Sequence, residues 1–130
     1  MTQRIISRIA IYILAIVMIA FGIYHFLHPR NLLVFVPSNL PGDIKWVYVV
    51  GVAFILAAIA FITNKGVKIA GYSLAILLII FVITIHVPNF RQAGDEALRQ
   101  GALINILKDT ALAAFALHIA GSADSHGVKY

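Results

Sequence analysis

Cysteine is absent from all 130 residues. That excludes a disulfide framework, a Cys-ligated zinc or iron–sulfur centre, and any redox chemistry run through a CxxC pair. Charge is scarce as well: 12% of residues are charged and 62% are hydrophobic, against about 25% and roughly 45–50% in a soluble domain. A water-soluble chain of this length could not hide so much apolar surface, because small domains leave much of their surface exposed. Acidic residues are the scarcer sign, 5 against 10 Lys and Arg, for a formal charge of +5. In a soluble chain that balance would suggest nucleic acid. Here the basic residues sit between apolar runs and suit a membrane protein whose partner is anionic membrane lipid, with no nucleic acid.

The apolar runs are long enough to count. Ile5 to Phe26, Trp46 to Thr63, Val67 to Val87 and Leu103 to Ala120 are each about 18–22 residues, against the ~20 that cross a hydrocarbon core as helix. None alternates polar with apolar as a barrel strand does. The fold class is an all-α integral membrane protein, a single four-transmembrane-helix bundle over residues 1–121 followed by a flexible tail over 122–130. The first run reads as a membrane helix rather than a cleaved leader, because its apolar stretch is long and no small-x-small site follows it.

The connections differ in character. Thr63-Asn64-Lys65-Gly66 is a short turn, so helices two and three form an antiparallel hairpin. Between helices one and two, Pro29, Pro37, Pro41 and Gly42 bracket Asn31 to Val36, which is too apolar for a free loop and too short to span. It reads as an interfacial or re-entrant segment. Asn89 to Gly101 reads as a polar connection. Placing both termini in the cytoplasm puts Arg4, Arg8, Lys65, Lys68 and Lys129 inside and Arg30, Lys45, Arg91 and Arg99 outside, which leans toward that orientation.

With alternating helices, the end of helix one, the end of helix three and the start of helix four share one side. That side gathers His25 and His28, then His86 and Asn89, then Asn105, Lys108 and Asp109. Counted from Leu103 at ~1.5 Å per residue, Asp109 lies roughly 9 Å along its helix. Lys108 can snorkel to water, but the short Asp109 cannot. Its helix face carries Asn105, Ala113, Ala116 and Ala120, the small residues of a packed face, so it should point inward. A buried carboxylate needs a partner, and His25 and His86 are the candidates. The bland reading makes this a structural hydrogen bond between helices. The functional reading makes it a proton-handling or ligand-binding group.

His25 and His86 could ligate haem as an axial pair, or hold a transition metal with Asp109, although neither pattern is specific. His118 reads as a packing residue or interhelical donor. A quinone or other flat apolar ligand fits better. It needs an apolar slot, here Phe21, Phe26 and Phe81, and one or two donors, here from Tyr24, His25, His86 and Lys108.

Taken in order, these residues are similar to the DoxX family of small bacterial four-helix membrane proteins. The resemblance runs through Phe21-Gly22-Ile-Tyr-His25-Phe26-Leu-His-Pro29, Val36-Pro37, Leu40-Pro41, Trp46-Val47-Tyr48-Val-Val-Gly51, Ile85-His86-Val87-Pro88 and Leu107-Lys108-Asp109-Thr110-Ala111-Leu112-Ala113. It covers about Ile5 to Gly121. It implies a bacterial inner-membrane protein, since the family takes its name from a subunit associated with a thiosulfate:quinone oxidoreductase. Two positions depart from the pattern. Phe54 stands where many relatives carry a glutamate, and Asp109 stands where many carry a neutral polar residue.

The expectation is therefore a membrane subunit linked to quinone-dependent redox metabolism. It would bind a quinone-like ligand through His25, His86, Asp109, Lys108, Asn105 and Tyr24, without a metal and without an assigned catalytic residue. The rival is a non-catalytic assembly subunit. Both expect a homo-oligomer or other membrane subunits as partners.

Overall fold

The computed structural model describes residues 2–36, 38–124 and 126–129. Pro37 of the first connection and Ser125 of the tail lie outside the described residues, as do Met1 and Tyr130. In chain order the elements are α1 (Thr2–Leu27), α2 (Pro29–Leu32) with a 3₁₀ turn (Leu33–Phe35), α3 (Ile44–Thr63) and α4 (Val67–Phe81). A π-helical segment (Val82–His86), α5 (Val87–Gln92), α6 (Glu96–Gly121), β1 (Ala123–Asp124) and β2 (Gly127–Val128) complete the chain. Four spans are long and apolar enough to cross a membrane: α1, α3, Val67–Gln92 and α6.

Bulk is distributed inside out. Ile9, Ile13, Ile16, Leu56, Ile76 and Leu107 face outward, while Ala15, Ala58, Ala116 and Ala120 are fully buried. Lipid tails are as apolar as leucine, so helices associate in a bilayer through close packing of small residues. The tightest packing is α1 on α3 and α4 on α6. A Cβ on Gly51 would meet the His25 Cβ at 2.9 Å and the Gly22 carbonyl oxygen at 3.2 Å, so only glycine permits that approach of α1 and α3. Contact between the two helix pairs is thinner.

The predicted turn at 63–66 closes through Asn64 in the left-handed conformation (φ 56°), a common way to end a helix. Two expectations are corrected. The polar stretch 89–101 is not a loop: the third span runs on to Gln92 and α6 begins at Glu96, leaving three residues between them. Asp95 caps α6 by accepting from the Leu98 N–H at 2.8 Å, and Glu96 in the first turn complements the helix dipole. The charges that suggested a loop are helix-end charges. Asp109 consequently sits about 20 Å along its helix, not 9 Å, at ~1.5 Å per residue from Glu96.

The second correction concerns the C-terminal residues, expected to be flexible. They form an antiparallel hairpin pairing Ala123 with Val128 and Asp124 with Gly127. The Asn64 side chain receives it as a strand would: Nδ2 donates to the Val128 carbonyl and Oδ1 accepts from the Val128 N–H, both at 2.9 Å. Ala123 and Val128 are buried in the core with Phe61 and Val67. Two small apolar side chains and one amide thus fix a segment whose Gly-Ser composition reads as a free tail.

Candidate functional site

The opposite end of the bundle is hollow. A cavity of about 800 Å³ lies between the two helix pairs, roofed by Leu32, Phe35, Val36, Asn39 and Leu40 from the first connection. The segment expected to be interfacial or re-entrant therefore folds back as a cap. Most of the lining is apolar, and the polar groups reaching it include His25, His86, Asn105, Lys108 and Asp109. An apolar cavity with a few convergent polar groups is the usual form of a small-molecule site.

His86 is positioned by a local break in its helix. Pro88 has no N–H, and its ring would crowd the carbonyl of Thr84, four residues back. The helix widens to absorb this: Val82–His86 is π-helical, and the Val87 N–H reaches the Val82 carbonyl, five residues back. The proline does not end the helix but shifts its register, and the helix continues as α5. Single π turns of this kind are frequent at functional sites. The widened turn leaves His86 only 8% exposed, with Nε2 at 2.9 Å from Oδ2 of the equally buried Asp109.

Lys108 joins the pair from an unexpected direction. Sequence neighbours on a helix point apart, yet its long stem brings Nζ to 3.7 Å from Asp109 Oδ1. Nζ is also 3.4 Å from Asn105 Oδ1 and 5.3 Å over the Phe21 ring. The carboxylate is thus flanked by an ammonium and an imidazole, which meets the cost of burying a charge within a span. With Asp109 as carboxylate, Nε2–H donates to it, and Nδ1 is left as the lone-pair nitrogen of the ring. Nδ1 is fully buried and has no hydrogen-bond partner among the described residues. Phe35 of the cap packs on this ring edge-on, with centroids 6.1 Å apart.

The other expected residues separate. Asn105 and His25 line the cavity, but His25 does not partner Asp109. Its Nδ1–H donates to the Phe21 carbonyl at 2.6 Å and its ring stands edge-on to Phe54. His25 and His86 thus hold different hydrogen-bond partners, and it is Nε2 of His86 that Asp109 takes up. Among the described residues, no three His, Asp or Glu side chains come close enough to hold a metal. Tyr24 is not at the site: it is 41% exposed and packs on His28, being roughly 100° around the helix from His25. His118, expected as a packing residue, is exposed. Sequence reasoning missed Phe35 and Phe54 as ring partners of the two histidines. Pro88 behind a histidine was the available signal for the π turn.

Fold and site together define a four-helix integral membrane bundle with a capped apolar cavity and a buried His–Asp pair in its wall. Residues 14–120 match the family described as Domain of unknown function (DUF8561), and the chain belongs to that family. The matched stretch includes every residue lining the cavity. No curated protein and no solved structure matches the chain.

Proposed function

We propose that this chain is a DoxX-like subunit of quinone-linked redox metabolism in the bacterial inner membrane. In this reading both termini are cytoplasmic, and a quinone or similar lipid-soluble ligand binds in the capped cavity. The observation that carries the reading is that His86, in the wall of an apolar cavity, has a buried Nδ1 with no hydrogen-bond partner among the described residues. An unsatisfied buried polar atom carries its full desolvation cost, and a ligand hydroxyl would remove it. Asp109 holds the ring, Lys108 and Asn105 supply further polar contacts, and Phe21 and Phe54 offer flat apolar surface.

Trp46 is the single tryptophan and lines the cavity, so its fluorescence reports on occupancy. Titrating decyl-benzoquinone into the protein in lipid nanodiscs should give saturable quenching that is lost in Val50→Phe, which fills the cavity that Val50 lines. Quenching that never saturates, or that ignores the substitution, would remove the proposal. A non-catalytic assembly role is the second reading, favoured by the His86–Asp109 bond itself, which fastens the third span to α6. It expects Asp109→Asn to lower folded yield or partner retention while leaving quenching as it was.

A further inference from the structure

The polarity of the orphaned nitrogen says which form of such a ligand the site takes. Resting on the quinone-site reading above, we infer that the cavity selects the reduced, hydroxyl-bearing ring, a quinol, over the oxidised quinone. On a neutral ring with Nε2–H given to Asp109 Oδ2, 2.9 Å away, the one free site is the Nδ1 lone pair, an acceptor. A quinone oxygen is also an acceptor, so the two lone pairs would face each other and Nδ1 would stay unsatisfied. A quinol O–H donates to it and leaves no polar atom unpaired. Sites built around one hydrogen-bonding group reject analogues lacking its complement far more strongly than apolar pockets reject a missing methylene.

The surroundings keep this polarity in place. Among the described residues, the charged and titratable groups that line the cavity with His86 are Asp109 and Lys108 on α6 and His25 on α1. Lys108 sits on the carboxylate oxygen that His86 does not use, and His25 gives its Nδ1–H to Phe21. Asp109 is therefore the residue that orients the proton on His86. Phe35, which both lines the cavity and packs on the His86 ring, is the side chain placed to yield as the hydroxyl approaches.

The test compares three probes that share a ring and tail: decyl-benzoquinol, decyl-benzoquinone and the dimethyl ether of the quinol. Binding to the full-length protein in nanodiscs is measured anaerobically by calorimetry. The quinol should bind about tenfold or more tightly than the other two, the size of one hydrogen bond to an otherwise unsatisfied buried group. In Asp109→Asn the amide both donates and accepts, so it no longer dictates which ring nitrogen carries the proton. The quinol preference should fall to about twofold or less, with an unchanged far-ultraviolet circular dichroism spectrum showing that the bundle is still folded; a preference kept in full would overturn the role of Asp109. Equal binding of all three probes to the unsubstituted protein overturns the redox selectivity and leaves the quinone site standing. Binding of none of them overturns both.

Discussion

The two ends of the bundle are built on opposite principles. At one end Ala58, Phe61, Val67, Ala116 and Ala120 are almost completely buried, and the C-terminal hairpin closes over them. At the other end the same helices diverge around a cavity of about 800 Å³, and the buried residues include His86 and Asp109. The packed end shows what this sequence does when stability alone is at stake: small residues, close backbones and a plug. The hollow end keeps features that cost stability, namely a void, a paired charge and an orphaned nitrogen. Proteins retain such features mainly where they serve function.

The contrast can be tested from the largest effect down. Replacing Asp109 by Ala leaves the buried His86 Nε2–H without its partner, and should cost about 1–3 kcal/mol in detergent unfolding. Leu107→Ala on the exposed face is the control, and an equal cost would mean that the pair is solvated rather than buried. Enlarging a side chain should then have opposite consequences at the two ends. Ala58→Phe, at a position with no exposed surface, should lose about 1–3 kcal/mol by overpacking. Val50→Phe fills the cavity it lines, and should hold or gain up to about 1 kcal/mol. Equal losses at both positions would erase the distinction between packed and hollow. Asn64→Ala removes both hydrogen bonds to Val128 and places alanine in a left-handed conformation. It should cost about 1–2 kcal/mol and expose the tail to protease.

The smallest effect is a pH dependence of the plug. The Asp124 carboxyl is held below its ordinary value, chiefly by the His126 backbone N–H and then by Lys129. A carboxylate whose value is depressed in the folded state stabilises it fully above its ordinary range, and loses that contribution as pH falls through the lowered value. The Val128 amide resonance should therefore stay constant down to about pH 4 and move below it. Asp124→Asn should flatten the profile, and a profile unchanged by that substitution would detach the plug from this carboxylate.

The parts legible in the sequence are those governed by local rules. Run length gave the number of spans, and the Asn64–Gly66 turn gave the hairpin. The stripe Asn105, Asp109, Ala113, Ala116 and Ala120 identified the inward face of α6, and shared sidedness brought His86 to Asp109. The misreadings come from features that depend on distant partners. Hydropathy stops where charge begins, so it missed the capped first turns of α6 that Asp95 supports. A helical wheel assumes an unbroken period, so it could not foresee the π turn that Pro88 demands. The tail's order depends on Asn64, sixty-four residues upstream of its partner Val128. Lys108 reached Asp109 because its stem is long, a possibility that residue spacing does not encode.

The most direct measurement is native mass spectrometry of the protein released gently from its own membrane, beside Val50→Phe. A lipid-soluble adduct of quinone mass, retained by the unsubstituted chain and lost when the cavity is filled, is the expected result. A bare chain, or an adduct held equally by both proteins, would contradict a ligand site at the hollow end and leave the His86–Asp109 pair as a fastening between helices.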